Sequence, residues 1–423
     1  MRQRRRRIVI VGGGFAGLHV VRHLEKRLRK GEAEVTLVDR VNYHLFTPLL
    51  YQVATGELPE HAVAYPLRRS TAPAGYAFRL AEVEAVDAEA RTIRTADGAI
   101  PYDHLVLAPG SVTQDFGIPG VREHAIPMKT ADDARAFKRH ILRCFERAAA
   151  TGDAVARRRL LTFVIVGAGP VGVELAASLR DLVDHTLAPM YPGFHRRRDV
   201  HITLVDGGER VIAGMHPRLS ALAQRRLDAL GVRTLLRTFV SEARDGLVMT
   251  KDGARLDAGT VAWAGGVRTH PLVSAVEGVP HAKDGRLVVD RTFRVGGRDD
   301  LFSLGDAAVL EVQGKPLAQL AQVAVLEAPY VAANLARLVR GEPLAEYVHH
   351  PKGDLIALGR TSAGAHMRRF GPIPTGDLVF GGLPAWTVWR TNYLLQLLGV
   401  RNRATLLAEW TLSFFLSRMV ADT

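Results

Sequence analysis

Two six-residue runs carry glycine at the first, third and sixth positions: Gly12-Gly13-Gly14-Phe15-Ala16-Gly17 and Gly167-Ala168-Gly169-Pro170-Val171-Gly172. In such a run the first glycine permits a tight turn, the second lets the backbone approach a pyrophosphate, and the third lets helix and strand pack closely. The chemistry on offer is electrostatic, a diphosphate resting on the positive end of a helix. Glycine is common enough for this spacing to arise by chance, so the context decides. Each run follows a short β-branched stretch, residues 7–11 or 161–166, and opens a stretch with apolar residues at helical spacing: Leu18, Val21, Leu24 and Leu28 in the first case. Each is followed by a strand ending in a carboxylate, Asp39 or Asp206, placed to accept hydrogen bonds from a ribose.

The elements that position these residues form a coarse internal duplication. Two dinucleotide-type units in one chain point to one flavin dinucleotide and one nicotinamide dinucleotide. The first is the better FAD site, because the buried stretch ending at Gly305-Asp306 can return a carboxylate to the same domain and hold the ribityl chain. Asp206 favours NADH over NADPH, since a carboxylate at the ribose repels a 2′-phosphate, although Arg210 nearby softens that repulsion. Residues 102–108 read as a further buried strand, 131–150 as a connecting helix, 151–159 as an Arg-rich link, and 347–380 as Gly-rich β structure before helix returns from Pro384. The fold class expected is α/β: two Rossmann-like dinucleotide-binding domains, for FAD and for NAD(P), with a C-terminal amphipathic helical appendage. The expected boundaries are 1–125 with 285–345 for FAD, 155–284 for NAD(P)H, and 346–423 for membrane association.

Composition narrows the remaining classes. A chain of 423 residues with 47% hydrophobic and 23% charged residues buries a sizeable core, and is too long to bury only one. The net charge of +13 suits anionic partners, but the arginines are scattered and no helix-turn-helix, zinc-finger or RNA-binding pattern appears, so nucleic acid is not expected. The single cysteine, Cys144, rules out an internal disulfide or a Cys-x-x-Cys redox pair, and no metal site is expected. The apolar run after the basic start, Ile8-Val9-Ile10-Val11, is too short for a signal peptide, and no apolar span approaches the roughly 18 residues of a transmembrane helix. Near the end, Trp386, Trp389, Tyr393 and Leu397, then Leu407, Trp410 and Phe414, recur at helical spacing, with Arg401 and Arg403 between. An aromatic and basic helical pair suits a bilayer surface. Cover by a partner subunit or by the protein's own core is the competing reading.

With these residues in hand, the chain resembles the two-dinucleotide-binding-domain flavoproteins, and among them the type II NADH dehydrogenases (NADH:quinone oxidoreductases). The match runs through residues 9–18, Asn42-Tyr43-His44-Leu45-Phe46-Thr47-Pro48-Leu49-Leu50-Tyr51-Gln52-Val53-Ala54-Thr55-Gly56, residues 169–176, Trp263-Ala264-Gly265-Gly266-Val267-Arg268 and Leu320-Ala321-Gln322-Val323-Ala324. The segment from Tyr43 to Gly56 is the most specific, because a generic dinucleotide fold does not call for it. The resemblance implies FAD contacts at Gly12, Gly14, Phe15, Ala16, Asp39, Arg40, Thr47, Val83 and Asp306, with Gln322 and Val323 near the flavin ring. Gly17 completes that turn, and Gly167, Gly169, Gly172 and Asp206 would hold NADH. Glu174 is implied as the catalytic acidic residue beside nicotinamide and flavin; the plainer reading is a carboxylate complementing a helix dipole. His44 reads as structural before it reads as a proton carrier.

The implied activity takes hydride from NADH through flavin N5 and passes two electrons to a membrane quinone without pumping protons. The enzyme would lie peripherally on the cytoplasmic side of the cell membrane, attached through residues 384–420, with a homodimer left open. Two departures stand out: Leu326 replaces the second Gln of Ala-Gln-x-Ala-x-Gln, which lies near the quinone in the family, and Pro109 stands where Thr is common. A soluble NAD(P)H-dependent ferredoxin- or rubredoxin-type reductase would accommodate Leu326, and a non-enzymatic NAD sensor is a further alternative. Flavin disulfide reductases and sulfide:quinone oxidoreductases need cysteines that this chain lacks.

Overall fold

The computed structural model of the chain describes residues 5–370, 373–416 and 418. They divide into two compact units, Met1–Leu45 with Ala64–Val112 and Val267–His350, and Phe46–Val63 with Thr113–Gly266 and Pro351–Thr423. This grouping differs from the sequence boundaries. Residues 267–284 and 346–350 join the first unit, while 46–63, 113–125 and the C-terminal segment from 351 join the second. Contacts between residues distant in sequence decide membership, and a composition profile cannot see them.

The first unit is built on a five-stranded sheet in the order Leu301–Ser303, His104–Leu107, Arg6–Val11, Ala33–Asp39, Ala77–Leu80. All its neighbours are parallel, with Val11 opposite Val38 and Leu107. A parallel sheet covered on both faces favours unbroken apolar strands. Ile8, Ile10, Leu105, Val106, Leu107 and Phe302 are accordingly all buried. Each contributes about 1.5–3 kcal/mol by leaving water. The helices Phe15–Glu25 and Ala321–Arg340 belong to this unit, as does a three-stranded antiparallel sheet beginning with Val83–Asp87.

The second unit repeats the plan. Its parallel sheet runs Ile126–Pro127, Thr260–Trp263, Thr162–Val166, His201–Val205, Arg233–Leu235, with Val166 opposite Val205 and Trp263. The helix Pro170–Leu182 follows the second glycine turn, with proline in its first turn, where the missing N–H costs nothing. The connecting helix Ala131–Ala150 is fixed at its start by a reciprocal capping box between Thr130 and Asp133. The Arg-rich link is partly helical, Ala154–Leu160, because Asp153 caps it by accepting from the N–H groups of Val155 and Ala156.

The C-terminal part of the second unit is an antiparallel sheet, Gly353–Ala357, Ala363–Phe370 and Ile373–Gly382, followed by the helices Leu383–Gln396 and Val400–Phe415. No helix among the described residues is long and apolar enough to cross a membrane. Of the two readings open for the helical pair, cover by the protein's own core holds for two of its tryptophans. Trp389 and Trp410 are each 1% exposed. The Trp410 indole N–H donates to Gln52 Oε1 at 3.0 Å, and the Arg390 guanidinium lies 3.9 Å from the Trp386 ring and 4.8 Å from that of Trp410. An aromatic stripe with internal polar partners gains more from the core than from an interface. The large hydrophobic side chains that the pair exposes are aliphatic: Leu383, Leu395, Val400, Leu407, Leu412 and Leu416. The side chain of Phe414, and residues 417, 419 and 420 of the expected membrane segment, lie outside the described residues.

Candidate active site

The two glycine turns have the same construction. Gly12 and Gly167 have φ of +102° and +105°, and a side chain on either would collide with the carbonyl of Ala108 or Ala264. Gly17 and Gly172 back onto the carbonyls of Gly12 and Gly167. Gly14 and Gly169 differ: a Cβ there meets nothing within 4 Å among the described residues. They are also the N-cap residues of Phe15–Glu25 and Pro170–Leu182, and neither helix start is capped by a described side chain. Uncapped N–H groups facing open space at a helix N-terminus fit a diphosphate.

Both carboxylates at the strand ends hold their own loops. Asp39 Oδ2 accepts from Gly13 N–H at 2.5 Å and Oδ1 from Val41 N–H at 2.9 Å. Asp206 Oδ2 accepts from Ala168 N–H at 2.6 Å and Oδ1 from Gly208 N–H at 2.6 Å. Spacing alone pointed them only at a ribose; here they also brace the turn, and each oxygen keeps a lone pair for a hydroxyl. Burial raises the Asp39 carboxyl above its ordinary range, opposed by the Gly13 and Val41 bonds. His44 is buried, its Nδ1 is 3.2 Å from the Gly13 carbonyl, and its ring meets Phe15 edge-on at 4.8 Å. Desolvation drives it down to about 4, so at neutral pH it is an uncharged brace.

In the first unit the Gly-Asp turn comes close to this loop. A Cβ on Gly305, whose φ is +66°, would lie 3.3 Å from that of Ala16 and 3.1 Å from that of Ala324. Ala16, Asp306 and the start of the helix carrying Gln322 and Val323 are therefore neighbours. Asp306 Oδ2 accepts from the Ser111 hydroxyl at 2.5 Å. Leu326 is half-buried on that helix, and Val83 is buried in its own small sheet. Arg40 is exposed just after Asp39, whereas Thr47 begins a single 3-10 turn in the other unit. Sequence reading missed Glu327. It is 3% exposed, accepts from Gly305 N–H at 2.7 Å, and is pushed up to about 7 by burial, with the charge of Asp306 adding. A carboxylate among Ala324, Ala328 and Val331 on an apolar face was the available signal.

Glu174 lies beyond the first turn of its helix and is 7% exposed, so complementing the dipole is not its principal role. Oε1 accepts from Ala357 N–H at 3.0 Å. Burial raises it to about 8, opposed only by that bond, so it carries a proton at neutral pH. Tyr51 and Tyr393 are also pushed upward, first by burial and then by the Glu174 charge, which places all three in one electrostatic neighbourhood. Gln52 Nε2 donates to the Tyr51 hydroxyl at 3.2 Å while its Oε1 takes the Trp410 N–H. The conspicuous segment Tyr43–Gly56 thus supplies, through Tyr51 and Gln52, the polar seat under the C-terminal helices. Thr55 adds a 2.7 Å bond to Ser178 on the Glu174 helix.

Comparison with known proteins agrees with this construction. Residues 6–328 match the family model of the pyridine nucleotide-disulphide oxidoreductases. The chain is 34% identical to the type II NADH:quinone oxidoreductase NdhA of Mycobacterium tuberculosis, over 97% of this chain and 87% of that protein. It is 30% identical to the type II NADH:quinone oxidoreductase of Haemophilus influenzae, over 87% and 88% of the two chains. The solved structure of NDH2 from Plasmodium falciparum in complex with NADH shares the fold, with a TM-score of 0.87 at 20% identity over 99% of this chain and all of that one. The fold also resembles the sulfide:quinone oxidoreductase of Aquifex aeolicus, with a TM-score of 0.74 at 20% identity over 97% and 96%. Duplicated phosphate cradles and near-full-length identity converge on one assignment: the chain belongs to the pyridine nucleotide-disulphide oxidoreductase family and, within it, to the type II NADH:quinone oxidoreductases.

Proposed function

We propose that this protein is an FAD-dependent enzyme that oxidises NADH and reduces a membrane quinone, without moving protons across the membrane. The observation that carries the reading is the pair of glycine turns, each with an open central glycine at an uncapped helix start. When bound, the flavin supplies the redox chemistry, taking a hydride from the nicotinamide and giving two electrons to the quinone. The protein's part is to bind, orient and manage protons. Gly12, Gly14, Phe15, Ala16, Gly17, Asp39, Arg40, Thr47, Val83, Asp306, Gln322 and Val323 are assigned to FAD. Gly167, Gly169, Gly172 and Asp206 are assigned to NADH, with NADPH disfavoured by the Asp206 carboxylate.

Glu174 is assigned as the catalytic proton holder. Its burial keeps a proton at neutral pH on Oε2, the oxygen opposite the one bonded to Ala357, and quinone reduction needs protons as well as electrons. Attachment is peripheral, on the cytoplasmic side, with the exposed leucines of residues 383–416 entering the bilayer and the net charge of +13 drawn to anionic headgroups. Steady-state NADH oxidation with a short-chain quinone, beside an artificial dye acceptor, tests the activity. Turnover with both fits this proposal, and turnover with the dye alone favours a different acceptor.

A further inference from the structure

The C-terminal sheet carries a cluster that the redox chemistry does not use. His366, at the centre of the strand Ala363–Phe370, is 1% exposed, and its ring has a carboxylate on either side. Nδ1 is 3.3 Å from Asp354 Oδ2 on the first strand, and Nε2 is 2.9 Å from Asp377 Oδ1 on the third. The ring of His216, which caps the helix Pro217–Ala229, lies 4.7 Å from that of His366. One ligating atom from each of His216, His366 and Asp377 falls within 4.8 Å of the other two.

The donor arrangement has a chemical consequence. If Nδ1 of His366 donates its proton to Asp354, then Nε2 presents a lone pair toward a second carboxylate, and two acceptors at 2.9 Å require a positive charge between them. That charge is either a further proton or a metal ion. A carboxylate holding the far nitrogen of a histidine is the usual outer support of a metal-bound imidazole. Two imidazoles and one carboxylate suit a borderline divalent ion such as zinc, with a fourth position open to water. Bond lengths of about 2.0–2.2 Å place tetrahedral ligand atoms roughly 3.3 Å apart, and the candidate atoms here lie within 4.8 Å of one another.

We propose that His216, His366 and Asp377, with Asp354 as the support for His366, form a site for a divalent transition-metal ion, zinc foremost. Two features limit its strength. His216 Nδ1 already accepts the Arg218 N–H at 3.2 Å, so ligation through either nitrogen costs that cap, because freeing the Nε2 lone pair puts a proton on Nδ1. The Arg368 guanidinium, 3.9 Å from Asp377 Oδ1, competes for the same carboxylate. Binding therefore ties the start of the helix to the sheet. No spacing rule would find the site, because His216 lies far from His366 and Asp377 in the chain and joins them only in the fold.

The test uses the full-length, flavin-loaded protein without an affinity tag, stripped by chelator and titrated with Zn²⁺ by calorimetry. Co²⁺ serves as the spectroscopic probe. The proposal expects saturation at one ion per chain, a tetrahedral Co²⁺ absorption band, and a raised Tm. Asp377→Asn and His366→Gln should each weaken binding by at least about tenfold, with Asp354→Asn about tenfold through the support. NADH oxidation should be unchanged in Asp377→Asn. Because Asp377 is exposed, that variant decides the matter even if His366→Gln fails to fold. Absence of saturable binding, or binding unaltered in Asp377→Asn, overturns the proposal.

Discussion

The residue with the most to say is Glu174. Folded, it keeps its proton to about pH 8; unfolded, it loses it near 4.5. The stability this group contributes is complete below the lower value and is lost as pH rises through the upper one. Glu174→Gln should therefore flatten the decline of Tm between about pH 5 and 8, measured by thermal melts across that range. In turnover the same substitution should lower quinone reduction by roughly tenfold or more and remove a decline in rate centred near pH 8. An unchanged pH profile would remove Glu174 from the proton path. Asp206 makes a second prediction: Asp206→Arg should raise the NADPH-to-NADH preference by about tenfold, and an unaltered ratio would mean the carboxylate braces its loop only. Glu327 marks the limit of residue-scale reading. Its place among Ala324, Ala328 and Val331 on an apolar face pointed to burial, but nothing in sequence announced that the Gly305 N–H would bond it. Leu326, its neighbour, is as visible in sequence as any residue, and its half-buried position leaves its effect on quinone to kinetics.

At the scale of elements, strand, glycine turn, helix and acidic strand end were legible in both units, because that signal is local and each part constrains the next. Legibility stopped where an element's outward face depends on what covers it. The spacing of Trp386, Trp389 and Trp410 gave the helices and their apolar stripe. It did not say that Gln52 and Arg390 would supply polar partners to Trp410 and hold that indole inward. The cradles can be tested separately, since a Cβ added at Gly14 or Gly169 meets nothing within 4 Å among the described residues. Gly14→Leu should yield a folded, colourless protein with an unaltered far-ultraviolet circular dichroism spectrum. Gly169→Leu should remain yellow while its KM for NADH rises about tenfold or more, as a filled phosphate cradle demands. Exchanged phenotypes would mean that the two sites have been assigned the wrong way round.

For the whole molecule, the single cysteine sets this chain apart from the disulphide chemistry in its family's name. Electrons arriving at the flavin cannot pass to a dithiol, so they leave to an external acceptor. If that acceptor lies in a bilayer, the exposed leucines provide the contact. Leu395→Glu with Leu407→Glu should abolish sedimentation with anionic vesicles while dye-linked NADH oxidation persists, because both side chains are more than half exposed and carry little of the core. Removing everything from Pro384 onward is a poorer test, since it also strips Trp389 and Trp410 from the core. The central claim is tested most directly by anaerobic titration of the purified protein with NADH, following flavin absorbance, and then adding a short-chain quinone. Bleaching at about one NADH per flavin, reversed by the quinone, is the predicted result, given that NADH and the two-electron flavin each carry one electron pair. Flavin that stays oxidised under excess NADH would contradict the account.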